Sequence, residues 1–168
     1  MNIPKRQLIT NGFFSKNTER INDVAWKLAE SGVNNLLLSV DAFHQETIPL
    51  EPVMTFAKAV KAAGIRIRTQ PAWLVNAMND NPYNRRTREI LEDFEEIGIT
   101  ANDGNNIFPG GNALKYLRDY FDLSEKHVNP YEEDPENVRA ICIEPEGAVL
   151  GGNIYQTDIL EILENYKP

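Results

Sequence analysis

The segment Asn35-Leu36-Leu37-Leu38-Ser39-Val40-Asp41 decides the fold class. Its three consecutive leucines show no alternation of apolar and polar side chains, so the strand that they predict is buried on both faces. Burial on both faces is typical of a parallel sheet covered by helices, whereas antiparallel strands more often alternate. The segment therefore predicts a central strand of an α/β protein.

Strand–helix units of about 30 residues surround this segment. Three predicted helices end at a glycine and are followed within three residues by an apolar strand, at Gly32, Gly64 and Gly98. The predicted strands are 7–10, 35–40 and 65–70, and a weaker fourth unit begins at residue 99 and ends in a helix over 112–120. Closed barrels of this kind use about eight strands. We therefore predict an incomplete, open parallel β/α TIM-like barrel over residues 1–122.

Residues 123–168 have a different pattern and are predicted to form an extension of this barrel. A polar connector is expected over 129–137, because it holds two prolines and four acidic residues. Apolar residues 138–143 and 148–150 flank Pro145-Glu146-Gly147, which suits a type I turn, so a small hairpin is predicted. A last amphipathic helix is expected around residues 159–163.

Charge and hydropathy exclude two classes of partner. The chain has 25 acidic and 17 basic residues and a net charge of −8, whereas binding to nucleic acid needs a basic surface. Its longest apolar run, Leu36 to Leu38, is far shorter than the roughly 20 residues that span a bilayer. No apolar stretch follows the basic residues at the N-terminus, so a signal peptide is not expected. We expect a cytoplasmic protein without a nucleic-acid or membrane partner.

The chain has a single cysteine, Cys142. One cysteine cannot form an internal disulfide. Zinc and iron–sulfur sites normally take three or four protein ligands, most of them thiolates in the case of iron–sulfur clusters. We therefore expect that these 168 residues do not hold such a cluster by themselves.

Polar side chains follow each predicted strand, where the sites of parallel β/α folds lie. Since strand residues alternate, Arg66, Arg68 and Gln70 are predicted to share one face, where a buried cation needs an anionic partner such as a ligand carboxylate. The candidate binding residues are Thr10, Asn11, Ser39, Asp41, Arg68 and Gln70.

Simpler structural roles fit several of the same residues. Thr10 and Asn11 suit a turn with Gly12, because Asn-Gly is a common turn pair. Asp41 suits a local backbone cap, Arg68 suits an ion pair, and a loop histidine such as His44 is often a surface hydrogen-bonding group.

Several segments resemble the radical SAM enzymes, in the same order and spacing. Leu8-Ile9-Thr10-Asn11-Gly12 resembles the end of that family's third barrel strand, and the region from Ser39 to Leu50 resembles its fourth. Residues 65–70 and 106–114 resemble later strands, and the tail from Ile141 to Tyr155 resembles the extension that follows many such barrels. The similarity covers nearly the whole chain.

This resemblance implies a barrel that binds S-adenosylmethionine and, in the full-length parent enzyme, a [4Fe–4S] cluster. By resemblance, Thr10, Asn11, Ser39, Asp41 and Arg68 line the adenosylmethionine site, with Ser39 and Asp41 toward its ribose or amino group and Arg68 toward its carboxylate. The family's Cys-x3-Cys-x2-Cys and Gly-Gly-Glu segments do not occur here, and the chain starts where the third strand is expected. We therefore expect a fragment of such an enzyme that is inactive by itself.

Two other functions are compatible with the sequence. A non-catalytic interaction module is one, forming a homodimer or pairing with a complementing chain through the exposed edge of the first strand. A metal-dependent barrel hydrolase or isomerase with Asp41 and His44 as ligands is the other.

Overall fold

Helices and short strands alternate along the chain in a computed structural model that describes residues 4–124, 141 and 143–167. The fold is mixed α/β, and the chain divides into two compact units, residues 1–127 and 128–168. The first unit contains β1 (Gln7–Thr10), α1 (Thr18–Glu30), β2 (Asn35–Leu38), α2 (Ala42–Gln45), α3 (Leu50–Ala62), β3 (Arg66–Thr69), β4 (Ala72–Leu74), α4 (Pro82–Glu96), β5 (Asn105–Ile107), α5 (Gly111–Tyr116) and a 3-10 turn (Arg118–Tyr120).

The first three strands form one parallel sheet in the order β1-β2-β3. Leu8, Leu36 and Ile67 are aligned across it. β4 and β5 form a second parallel pair, and a parallel bridge joins Thr69 to Ala101 just before them. The described strands do not close into a barrel, and the predicted parallel order of the first three is confirmed.

The ends of α1, α3 and α4 confirm the glycine signals in the sequence. Gly32, Gly64 and Gly98 follow these helices with φ of +86°, +81° and +68°, a left-handed conformation that costs glycine little. In each case the glycine N–H and the next N–H donate back to carbonyls of the last turn, a Schellman motif. Each helix therefore ends sharply and returns the chain to the sheet.

One face of the β1-β2-β3 sheet packs against helices. Leu36, Leu38 and Ile67 belong to a buried core cluster with side chains of α1, α3 and α4. Because side chains alternate along a strand, the opposite face carries Gln7, Ile9, Asn35, Leu37, Ser39, Arg66, Arg68 and Gln70. We call this second face the polar face, although Leu37 and Asn35 on it are also buried.

Three elements of the first unit differ from the sequence predictions. No strand was predicted at β4, whose Leu74 N–H donates to the side-chain oxygen of the buried Asn84 and which pairs with β5. The fourth unit is interrupted, with Ala101 bridged to β3 and β5 starting at Asn105. The helix predicted over 112–120 stops at Tyr116 and continues as the 3-10 turn.

The second unit contains β6 (Ala148–Val149), β7 (Gly152–Asn153) and α6 (Ile159–Asn165). The turn at Pro145-Glu146-Gly147 forms, since the Gly147 N–H donates to the Glu144 carbonyl at 2.8 Å. Across this turn the Glu144 N–H donates to the Ala148 carbonyl at 3.0 Å, and the described strand ladder joins β6 to β7. Leu150 and Gly151 both have positive φ, as a two-residue hairpin turn requires. Residues 138–140 and 142 of the predicted first hairpin arm, and the predicted connector, lie outside the described residues.

The last helix was predicted correctly, and Ile162 is its buried residue. Across the described ranges, no helix combines the length and the apolar character needed to cross a membrane.

Candidate functional site

The end of β1 forms a turn built by its own side chains. The Thr10 hydroxyl accepts a hydrogen bond from the Gly12 N–H at 3.1 Å. The Asn11 side-chain oxygen accepts one from the Phe13 N–H, also at 3.1 Å. Gly12 has φ +71° and is buried against β2 and α3. The turn interpretation of Thr10 and Asn11 therefore describes what these side chains do in the structure.

Asp41 lies just beyond β2, and its carboxylate is fully buried. Oδ1 accepts hydrogen bonds from the N–H groups of Phe43 and His44 at 3.0 Å, which caps α2. Oδ2 accepts from the Ala72 N–H at 2.9 Å and lies 2.8 Å from Nδ1 of His44. Asp41 thus ties the end of β2 to the start of β4. With both oxygens occupied by two donors each, it offers no open position for a ligand or a metal ion.

His44 completes a dyad with Asp41. The hydrogen bond that His44 Nδ1 donates to Asp41 raises the pKa of His44 above 6.5, partial burial lowers it, and the charge of Asp41 adds to the rise. In the neutral ring, the carboxylate acceptor holds the hydrogen on Nδ1 and leaves Nε2 with its lone pair. About a third of the His44 side chain is exposed (35%). The described residues provide no hydrogen-bond partner for Nε2.

α2 is only one turn long, and neighbouring elements hold it in place. Its first N–H, from Ala42, donates to the buried Thr87 hydroxyl of α4 at 3.0 Å. The Phe43 ring stacks on Tyr83 with centroids 4.7 Å apart and planes 10° apart, and Tyr120 packs edge-on against Tyr83. These contacts fix the position of the dyad.

Arg68 and Gln70 lie on the polar face of the sheet at the end of β3. Nε of Arg68 is buried and has no hydrogen-bond partner in the described part of the chain. Ion pairs among the described residues do not include Arg68. The Gln70 side-chain oxygen accepts a hydrogen bond from Asn102. Ser39, half-buried on the same face, bonds through its backbone N–H to Thr10 O at 2.8 Å.

The sequence did not reveal the residue that organises the loop after β4. Asn84 is fully buried, and its Nδ2 donates to the carbonyls of Leu74, Asn76 and Asn79 at 2.9–3.1 Å. Its Oδ1 accepts from the Leu74 N–H at 2.9 Å. Four asparagines between residues 76 and 84 were the available signal, because asparagine favours turns and caps. Asn84 thus ties the loop that follows β4 to the first turn of α4.

Within the described ranges, no group of three or more His, Cys, Asp or Glu side chains could hold a metal ion. Comparisons of the chain with protein-family models, curated proteins and solved structures found no match. Function must therefore be inferred from the residues of the site.

Proposed function

We propose that this chain is the cofactor-binding part of an open parallel β/α barrel of the radical SAM type, and that its strand ends bind S-adenosylmethionine. Two features support this proposal. The order of parallel strands and helices in residues 4–124 is that of consecutive β/α units. The segments around Thr10, Ser39 and Arg68 resemble that family, and this resemblance is the basis for proposing S-adenosylmethionine as the ligand.

The observation that carries the proposal is the buried, unpartnered Nε of Arg68. A guanidinium always carries its charge, and burying part of it without an acceptor is costly. A carboxylate suits a guanidinium well because two parallel hydrogen bonds can form. The carboxylate of the methionyl group fits this requirement. Ser39 and Gln70 would contribute further polar contacts on the same face.

S-adenosylmethionine supplies radical chemistry in that family only together with a [4Fe–4S] cluster. The residues of this chain do not fit a cluster, because it has one cysteine and a cluster needs at least three thiolates in these enzymes. We therefore propose that these residues bind the nucleoside cofactor and that the cluster ligands belong to sequence outside them. A cytoplasmic location and the lack of a nucleic-acid partner stay predictions from composition.

Isothermal titration calorimetry tests the proposal, with S-adenosylmethionine as the ligand and Arg68→Met as the variant. Loss of a charge-assisted hydrogen-bonded pair is expected to weaken binding about 10- to 100-fold. Arg66→Met is the matched control, since Arg66 lies on the same face but is exposed, and binding should change less than about twofold. 5′-Methylthioadenosine, which lacks the carboxylate, should bind the wild type and Arg68→Met equally.

Two results would contradict the proposal. One is no heat of binding at millimolar S-adenosylmethionine for a folded wild-type chain. The other is an equal loss of affinity in Arg66→Met and Arg68→Met.

A second candidate function is an interaction module that pairs through β1. The specific observation is that β1 lies at the edge of the sheet and exposes Ile9 (58%). Exposed strand edges are rarely left bare. Light scattering over a dilution series tests this candidate, with Ile9→Lys as the variant. A dimer that dissociates in Ile9→Lys would support it, and a monomer at all concentrations would exclude a homodimer.

A further inference from the structure

The proposed function leaves out one residue of the dyad, His44, whose second ring nitrogen remains available. Asp41 satisfies the N–H groups of Phe43, His44 and Ala72 and still lies 2.8 Å from His44 Nδ1. The backbone donors alone account for the cap of α2 and its link to β4. The fourth contact orients an imidazole whose second nitrogen remains available.

The orientation of His44 is held by more than the carboxylate. The stack of Phe43 on Tyr83 and the bond from Ala42 to Thr87 attach α2 to α4. The Asp41 N–H also donates to the side-chain oxygen of Gln45 at 3.0 Å. A helix of four residues has little stability by itself, so these contacts place His44 in one position before any ligand arrives.

We propose that Nε2 of His44 accepts a hydrogen bond from an O–H or N–H group of the bound ligand, and that Asp41 is its positioning residue. This inference rests on the proposed function, since it concerns a ligand at the same ends of the parallel strands. It assigns His44 the contact with the ligand that the resemblance assigned to Asp41. The reason is that both Asp41 oxygens are already used within the protein, whereas Nε2 of His44 is not.

Two variants of His44 distinguish the contributions of its two ring nitrogens to ligand binding. The side-chain amide of asparagine can replace Nδ1 and leaves nothing at the Nε2 position. The longer glutamine side chain can place an oxygen acceptor near the Nε2 position. His44→Asn is expected to weaken binding of S-adenosylmethionine about two- to tenfold, the effect of one neutral hydrogen bond. His44→Gln should restore part of that loss.

Asp41→Asn tests the positioning role. The amide nitrogen facing Nδ1 donates rather than accepts, so the hydrogen moves from Nδ1 to Nε2 and the acceptor is lost. Long-range proton–nitrogen NMR reports this directly on nitrogen-15-labelled protein. The chain has two histidines, so His127→Gln is used as the background and leaves one imidazole signal. Spectra at about pH 9 observe the neutral ring.

The expected result is a protonated Nδ1 in the wild type, the opposite tautomer in Asp41→Asn, and a shift of the Nε2 signal on addition of ligand. A shift with 5′-methylthioadenosine identifies a nucleoside group as the donor, and a shift with S-adenosylmethionine alone identifies the amino group. Circular dichroism verifies that each variant is folded.

Ligand binding with an unchanged Nε2 signal and full affinity in His44→Asn would overturn this inference and leave the proposed function intact. A wild-type chain that binds neither compound would overturn both.

Discussion

Replacing Asn84 by aspartate is the sharpest test of how the loop beside the site is held. The change keeps the size of the side chain and the acceptor for the Leu74 N–H. It replaces a donor that faces three carbonyl oxygens at 2.9–3.1 Å by a second negatively charged oxygen. Because Asn84 is fully buried, the new charge is removed from water and faces three carbonyl oxygens. An unpaired buried charge costs about 3–5 kcal/mol, a large part of a typical domain stability of about 5–15 kcal/mol.

The penalty in Asn84→Asp should depend on pH. Burial and the nearby carbonyl oxygens raise the pKa of the introduced carboxyl group in the folded state, so the folded protein binds more protons than the unfolded chain. Stability therefore falls as pH rises from the unfolded pKa, by up to about 1.4 kcal/mol per pH unit. The variant should be closest to the wild type below about pH 3, where the carboxyl group is largely protonated in both states.

Urea unfolding measures this effect, with the fluorescence of the buried Trp73 and circular dichroism as probes. Asn106→Asp is the matched control, because Asn106 is exposed on β5 and its variant should stay within about 0.5 kcal/mol of the wild type. Equal stability of Asn84→Asp and Asn106→Asp at neutral pH would refute the reasoning, as would a penalty that is constant between acid and neutral pH.

Three further predictions concern the dyad and the turns. The raised pKa of His44 means that the protonated imidazole next to Asp41 adds stability that is fully present below an unfolded pKa of 6.5 and is lost as pH rises through the folded pKa. The neutral ring keeps its bond to Asp41, so the difference between the urea midpoints of the wild type and His44→Gln should shrink at alkaline pH, and a larger difference there would contradict this prediction. Gly12→Ala should destabilise the fold more than Gly64→Ala. Both glycines have positive φ, but only at Gly12 would the new Cβ lie 2.6 Å from a leucine of β2. Equal thermal melting points of the two variants would show that this crowding does not contribute. Thr87→Val removes the buried acceptor for the first N–H of α2 and should cost about 1–3 kcal/mol by urea unfolding, whereas Thr87→Ser, which keeps the hydroxyl, should cost less.

Local signals were sufficient to predict most elements of the first unit. The leucines of β2 are buried as expected, and the glycines after α1, α3 and α4 end their helices where the sequence indicated. Such signals act within a few residues, so no knowledge of the tertiary structure was needed. β4 was not predicted, because local signals do not define it. It is a strand because of its long-range partners, the side chain of Asn84 and the parallel β5.

For the candidate site, the sequence by itself determined which polar residues gather at the strand ends, because parallel strands bring their carboxyl ends to one edge. It also determined, through a single cysteine, that the chain does not supply three thiolates for a cluster. Only the tertiary structure decided what each side chain does there. Asp41 is enclosed by donors from β4 and α2, while Nε2 of His44 and Nε of Arg68 have no described partner. Hydrogen bonding of this kind depends on atoms distant in sequence, and residue type and spacing cannot specify it.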